Sequence, residues 1–178
     1  MTAASNDSPT QDFSHCHEGI VKKLDLLGEL PALLAPAERA RDIAATALGF
    51  FHEAIFAHHT DEERELFPAV LASALAGEEK ARVQAMVKRL TAEHRALEAL
   101  WKSLEPGLKK VAKGQTGPLE AAQVQSLVTQ YQAHARYEET EFLPLSQTIL
   151  GRNDHHMAAL GLSLHMRHAP VNLKATYI

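Results

Sequence analysis

The sequence predicts an all-α protein in which four helices form an antiparallel up-down-up-down bundle. Helix-favouring residues (Ala, Leu, Glu, Lys and Gln) dominate the chain, runs of β-branched residues are missing, and apolar residues recur at helical spacing. The amphipathic stretches are joined by short connections, which place consecutive helices antiparallel to one another.

The predicted bundle occupies residues 12–150, between a disordered tail of residues 1–11 and a C-terminal segment of residues 151–178. The N-terminal tail is polar and contains no apolar stretch that could anchor it to a core. In the C-terminal segment, Asp154 is a good N-cap for a short fifth helix that ends near His168.

The first two helices are expected on either side of a turn at Pro31 and Pro36, because proline disrupts a helix interior. They cover about residues 12–34 and 37–74, and Pro68 bends the second of them. Four apolar residues share one face of the first helix: Ile20, Leu24, Leu27 and Leu30.

The third and fourth helices are expected at about residues 78–111 and 119–150. Gly77 marks the turn before the third helix. The loop of residues 113–118 contains glycines and ends in Pro118, which is typical of a turn followed by a helix start.

Composition argues against several classes of partner. The net charge of -4 offers no basic surface for nucleic acid or an anionic membrane. The apolar stretch of residues 43–57 is too short to span a bilayer, and the N-terminus has no signal-peptide pattern. The chain has one cysteine, Cys16, which excludes an intramolecular disulfide and agrees with a cytoplasmic location. A protein partner or a homo-oligomer stays open.

Two parts of the chain repeat each other at an offset of 76 or 77 residues. Each half offers one histidine from its first helix and a His-x-x-x-Glu motif from its second. The aligned pairs are His17 with His94, His58 with His134, and Glu62 with Glu138. We expect these halves to be related by a pseudo-two-fold arrangement.

The six aligned residues point to a metal site. A histidine and a glutamate four residues apart lie on one face of a helix, and in both motifs this face continues as an apolar stripe. Burying unpaired carboxylates is costly, so ionisable groups on an inward face need a partner such as a divalent cation. Imidazole and carboxylate suit iron, with manganese or zinc as substitutes. In the simplest arrangement, two histidines bind each of two metals and both glutamates bridge the metals. Coordination positions then stay open for a ligand from outside the protein.

This pattern resembles the hemerythrin-like family, also called the HHE cation-binding domain, over about residues 12–150. The resemblance implies a four-helix bundle with a non-haem di-iron centre, and hence two iron ions. Family members bind oxygen, sense oxygen or redox state, or handle nitric oxide and iron, so a diatomic molecule or peroxide is the implied ligand. Oxygen carriers of the family use a further histidine and an aspartate that this sequence lacks at matching spacing, which favours a more general di-iron role.

Several residues compete with these assignments. His59 and Glu63 form a rival pair at the same spacing, but Ala135 stands opposite His59 in the repeat, so the pair is set aside. Glu63 and Glu139 are then expected on a solvated face, or as hydrogen-bond acceptors for ligating imidazoles. Three further groups are interpreted as structural or surface residues: Tyr131 in the core, Cys16 as a small apolar residue, and the C-terminal histidines His155, His156, His165 and His168.

Three functions remain open at this point. The chain can be a di-iron protein that binds or senses oxygen, nitric oxide or peroxide, or handles iron. It can be an enzyme that uses the same site, such as a peroxidase, an oxidase or a nitric oxide reductase. It can also be a structural or interaction bundle that holds zinc or no metal.

Overall fold

The computed structural model describes the backbone of residues 9–51 and 55–152, and the side chains of residues 19–51 and 55–152. Within these ranges the chain is helical and contains no strand, which confirms the predicted all-α bundle. No helix in this part of the chain is both long enough and apolar enough to cross a membrane. The predicted fifth helix lies outside the described residues.

The described helices follow one another in eight segments, two of which are π-helical turns. The segments are α1 (Pro9–Phe50), α2 (Phe56–Asp61), π1 (Glu62–Leu66), α3 (Phe67–Ser73), α4 (Glu78–Ala112), α5 (Ala121–Tyr137), π2 (Glu138–Phe142) and α6 (Leu143–Leu150). Segments α2, π1 and α3 form one continuous rod, and α5, π2 and α6 form another. Both rods pack against α4, which matches the third predicted helix within one residue.

The predicted turn between the first two helices is wrong, because α1 runs without a break through Pro31 and Pro36. The four residues between the prolines, Ala-Leu-Leu-Ala, are good helix formers, and none of them favours a turn. The carbonyls deprived of a donor by the prolines belong to Leu27 and Ala32. Both residues are exposed, so water can satisfy these carbonyls and the helix continues.

Among the residues of α1 whose side chains are described, 19–50, the last part packs against the other helices. Every residue from 19 to 43 is exposed, whereas Ala44 is buried and Ala47 and Leu48 are half-buried. The exposed part carries many large apolar side chains, which are normally covered in a soluble protein. They are Ile20, Val21, Leu24, Leu26, Leu27, Leu30, Leu33, Leu34 and Ile43.

Two apolar clusters make up the described core. In one of them, the rings of Phe67 and Phe142 meet edge to face with 5.1 Å between their centroids. In the other, Trp101 stacks on Phe51 with 3.8 Å between the ring centroids. His94 lies between the two clusters on α4, so ionisable groups occupy the middle of the bundle.

The two π-helical turns stand at the same place in the two halves of the chain. Both begin at the motif glutamate, and the backbone N–H that closes each turn, that of Phe67 or Leu143, donates to the carbonyl of that glutamate. A proline follows directly, at position 68 or 144. A proline ring clashes with the carbonyl four residues before it, and the wider π turn gives that carbonyl room. Turns of this kind recur at functional sites.

A close approach between α4 and the following loop requires glycine at position 107. A Cβ atom there would lie 2.2 Å from the carbonyl oxygen of Pro118. We expect Gly107→Ala to lower the free energy of unfolding by about 2 kcal/mol, because the backbone must move to admit the methyl group. Urea denaturation measures the change.

Gly28→Ala is the matched control, because Gly28 is also helical and no described atom lies within 4 Å of the position that its methyl group would take. Alanine favours a helix over glycine by roughly 0.5–1 kcal/mol, so this variant should be slightly more stable than the wild type. Equal destabilisation by both variants would contradict the role given to Gly107.

Candidate metal centre

Both rods and α4 contribute side chains to one buried centre. The Nε2 atom of His94 lies 3.3 Å from Oε2 of Glu62 and 3.9 Å from Oε1 of Glu138. The Nε2 atom of His134 lies 3.4 Å from Oε1 of Glu138, and that of His58 lies 3.3 Å from Oε1 of Glu62. Five of the six predicted ligands therefore meet, at the point where both π turns begin.

The atoms that face this centre fit a metal ion. Oε2 of Glu62, Oε1 of Glu138 and the Nε2 atoms of His94 and His134 are buried and have no hydrogen-bond partner among the described residues. Buried polar groups are normally paired, and leaving several unpaired at one point is costly. Imidazole nitrogens and carboxylate oxygens are ligands for divalent transition metals, which would satisfy all four atoms at once.

The potential ligands fall into two adjoining groups of three. One group consists of His59, His94 and His134, which are all buried, and the other of His58, Glu62 and Glu138. Within each group, the ligand atoms lie within 4.8 Å of one another. Each group therefore brings enough ligand atoms together to hold a metal ion, one group being rich in histidine and the other in carboxylate.

His59, which the repeat excludes from the predicted ligands, is buried in the centre. Its ring stacks on that of His94 with 3.9 Å between centroids. The two halves of the chain differ just before this point, where Phe51 and Ile55 have π-helical backbone and the equivalent positions 127 and 131 are α-helical. A π turn holds more residues than an α turn and rotates the residues that follow it.

Two further carboxylates hold the imidazoles in place from outside the centre. Nδ1 of His94 hydrogen-bonds to Oε1 of Glu63 at 2.9 Å, and Nδ1 of His134 to Oε2 of Glu93 at 3.0 Å. A hydrogen bond at Nδ1 fixes the ring and leaves Nε2 directed at the centre, as in many metal sites. Arginines in turn donate to these carboxylates: Arg95 to Glu63 and Arg89 to Glu93.

These contacts decide between the two interpretations of Glu63 and Glu139. Glu63 is not on a solvated face, since its side chain is only 22% exposed and accepts from His94. Glu139 is exposed, as expected for a solvated face. Glu93 was missed, although it immediately precedes a predicted ligand on α4.

The pKa values of the two stacked histidines, His59 and His94, are shifted in opposite directions. Burial and the neighbouring His94 and His134 lower the pKa of His59 to about 3, so its ring is neutral. Burial also disfavours charge on His94, but the nearby carboxylates of Glu138, Glu62 and Glu63 outweigh it and raise the pKa of His94 to about 10. Without metal, a proton on His94 therefore balances the carboxylates, and a metal must displace it.

The side chain of the sixth predicted ligand, His17, lies outside the described residues. It belongs to α1, and the helix places it roughly 50 Å along its axis from Phe50. Its role as a ligand stays a prediction.

Tyr131 borders the centre, while other singled-out residues lie elsewhere in the chain. The half-buried Tyr131 ring lies 6.0 Å from that of His134, and burial together with Glu138 and Glu62 raises its pKa. The side chain of Cys16 and the four C-terminal histidines lie outside the described residues.

Glu93→Gln is expected to weaken metal binding by about 10- to 100-fold, because the amide orients the imidazole of His134 less strongly than the carboxylate does. Titration against a chromophoric chelator measures the affinity. The matched control is Glu141→Gln, since Glu141 is half-exposed and faces Arg82 at 3.5 Å instead of the centre. A similar loss in both variants would contradict the orienting role of Glu93.

Comparison with protein families gives a match. The family model described as the hemerythrin HHE cation binding domain matches residues 8–146, which include both His-x-x-x-Glu motifs and α4. Neither the curated proteins nor the solved structures yield a match.

Proposed function

Because the chain belongs to the hemerythrin HHE cation-binding domain family, we propose that it is a non-haem di-iron protein that binds a small ligand. The ligand is oxygen, nitric oxide or peroxide, and the protein senses or scavenges it or handles iron. The metal ligands on this chain are His58, Glu62, His94, His134 and Glu138, with His17 as the sixth.

The observation that carries this proposal is the convergence of unpartnered atoms. Two imidazole nitrogens and two carboxylate oxygens, all buried and without a hydrogen-bond partner among the described residues, face one point. His59 adds a third imidazole beside His94 and His134. A mixed nitrogen and oxygen environment favours iron, manganese or zinc over magnesium and calcium, which prefer oxygen alone.

The chain's own residues give this centre an enclosed side and an open side. His94 and His134 are fully enclosed and fixed by Glu63 and Glu93. The side chain of His58 is 44% exposed, so the carboxylate-rich group borders solvent. A small ligand can reach this side without any opening of the bundle, and bound iron would supply the coordination positions for it.

Anaerobic loading with ferrous iron tests the proposal. We expect about two iron atoms per chain, and a near-ultraviolet and visible spectrum that changes on addition of oxygen or nitric oxide. The change caused by oxygen should be reversed by a reductant. Glu62→Ala should bind markedly less iron. Protein that stays iron-free and colourless would overturn the proposal. Tight zinc binding with no response to these ligands would instead favour a structural bundle.

The position of Tyr131 favours a second candidate, an enzyme that reduces peroxide or nitric oxide. A phenol beside His134, with its pKa raised by burial, is a proton donor at neutral pH. If the protein is such an enzyme, Tyr131→Phe lowers turnover while iron content stays constant. Absence of turnover by the iron-loaded wild type would rule this candidate out.

A further inference from the structure

The stacked rings of His59 and His94 point in the same direction. Their planes are 7° from parallel, with 3.9 Å between the ring centroids. Nδ1 of His94 hydrogen-bonds to Oε1 of Glu63. Nδ1 of His59 lies 3.7 Å from Oε1 of Glu98. Arg95 donates to both carboxylates, so both Nδ1 atoms lie on the side of its guanidinium group. The two Nε2 atoms, on the other edge of each ring, are therefore directed away from Arg95 and towards the centre.

Parallel stacked imidazoles match two neighbouring metal ions better than a single ion. The lone pair of an imidazole nitrogen lies in the ring plane, so the planes of two imidazoles on one ion must converge on that ion. The Nε2 atoms of His59 and His94 instead face two positions side by side, about as far apart as the stacked rings. Metal ions in dinuclear protein sites lie roughly 3.5–4 Å apart. The stack thus has the spacing of a pair of ions, with one imidazole for each ion.

Glu98 has the same surroundings as Glu63 and Glu93, the two carboxylates that orient imidazoles at the centre. Each of those two accepts a hydrogen bond from an arginine and is only partly exposed. Glu98 accepts from Arg95 at 3.2 Å, and its side chain is 21% exposed. It also lies four residues after His94, so both side chains project from the same face of α4. Its position is therefore that of a third orienting carboxylate.

His59 lacks the hydrogen bond at Nδ1 that His94 and His134 have. The residue is 1% exposed, and neither of its ring nitrogens has a hydrogen-bond partner among the described residues, which is costly for a buried group. The 3.7 Å to Glu98 is too long for a hydrogen bond. A cavity of about 190 Å³, lined by both side chains, gives the carboxylate room to approach Nδ1. A metal ion at Nε2 and the Glu98 carboxylate at Nδ1 would satisfy both nitrogens.

We propose that His59 is a ligand of the second metal ion and that Glu98 is its positioning residue. The inference rests on the proposed function for the presence of two ions, and it adds one ligand to those named there. Nε2 of His59 binds the ion, and its Nδ1–H donates to Glu98. Arg95 then holds the carboxylates behind both stacked imidazoles, so a single side chain supports a ligand of each ion.

Titration of the metal-free protein with cobalt(II), followed by visible absorption and by metal analysis, tests the inference. We expect two cobalt ions per wild-type chain. His59→Leu should retain the ion bound by His94 and lose the second ion. Glu98→Gln should bind both ions, but the second about 10- to 100-fold more weakly, because an amide orients the imidazole less strongly than a carboxylate does.

Glu105→Gln is the matched control for Glu98→Gln. Glu105 lies seven residues further along α4, about 10 Å from Glu98 along the helix axis. Its side chain is 20% exposed, and it pairs with Lys109 at 2.8 Å. This variant should bind both cobalt ions as tightly as the wild type does.

A double variant separates orientation of His59 from a general structural effect. In the His59→Leu background, Glu98→Gln should leave the affinity for the remaining ion unchanged, because Glu98 acts through His59. Urea denaturation of metal-free Glu98→Gln should give the wild-type midpoint, which excludes misfolding as the cause of weaker binding. If Glu98→Gln weakens the remaining ion just as strongly in this background, the role assigned to Glu98 is wrong.

The outcomes distinguish this inference from the proposed function. If His59→Leu binds two ions as tightly as the wild type does, the inference is wrong and the proposed function stands. A wild type that binds fewer than two ions also overturns the inference. Loss of one cobalt ion in His59→Leu, together with an iron-loaded wild type that does not respond to oxygen, nitric oxide or peroxide, supports the inference and refutes the proposed function.

Discussion

Replacing His94 with leucine is expected to destabilise the metal-free protein by about 3–5 kcal/mol. The imidazole of His94 is fully buried and holds a proton between Glu62, Glu63 and Glu138. Leucine of similar size fills the space but leaves buried carboxylates without their counter-charge, and removing one partner of a buried ion pair typically costs this much. Urea denaturation at pH 6.5 in the presence of a chelator measures the difference.

His59→Leu is the control for this prediction. His59 stacks on His94 and is just as buried, but its lowered pKa leaves it neutral, and no described group hydrogen-bonds its ring nitrogens. Its replacement should change the stability by less than about 1.5 kcal/mol. If both variants lose equal stability, the charge on His94 is not the cause.

The pH dependence of the His94 effect has a definite sign. Because the folded pKa of about 10 is above the ordinary value of 6.5, the contribution of the proton is complete below pH 6.5 and disappears as the pH rises through 10. The difference between the wild type and His94→Leu should therefore shrink steadily from pH 6.5 to pH 10.

Glu138→Gln is expected to lower the affinity for iron by more than about a hundredfold. Glu138 lies within reach of His94 and His134 and belongs to the group with His58 and Glu62. Losing a group that only orients a ligand lowers metal affinity by about 10- to 100-fold. Losing a carboxylate that coordinates the metal directly should lower the affinity by more than this. Metal content after dialysis and the rise in melting temperature on iron addition both report the loss.

The adjacent residue, Glu139, provides a control for the Glu138→Gln variant. Glu139 is also a glutamate in π2 but is exposed to solvent. Glu139→Gln should bind iron like the wild type. A comparable loss in Glu139→Gln would show that net charge, and not coordination, determines the affinity.

The sequence correctly predicted α4 and the loop after it, and it contained both His-x-x-x-Glu motifs openly. Each of these features depends on local signals. The apolar periodicity of residues 78–111 determines one long helix, and glycines mark the loop that follows. The offset of 76 residues, which paired Glu62 with Glu138, also applies to π1 and π2. Repetition of a motif thus predicted a shared local structure correctly.

Features that depend on contacts between helices could not be predicted in the same way. Glu93 and Glu63 acquire their roles only when α4 lies beside the two rods. The prolines at 31 and 36 indicate a turn locally, but the helix-forming residues between them and exposure to water allow α1 to continue. The burial of His59 accompanies π-helical backbone at Phe51 and Ile55, for which the sequence pattern has no clear signal.

The stacked pair of Trp101 and Phe51 makes the protein its own optical probe. The chain has one tryptophan, which is buried and stands seven residues after His94 on α4, about 10 Å along the helix. Its emission comes from a single, rigid environment close to the centre. Occupancy by a paramagnetic or coloured ion can therefore be followed as quenching of intrinsic fluorescence, without an added dye or label.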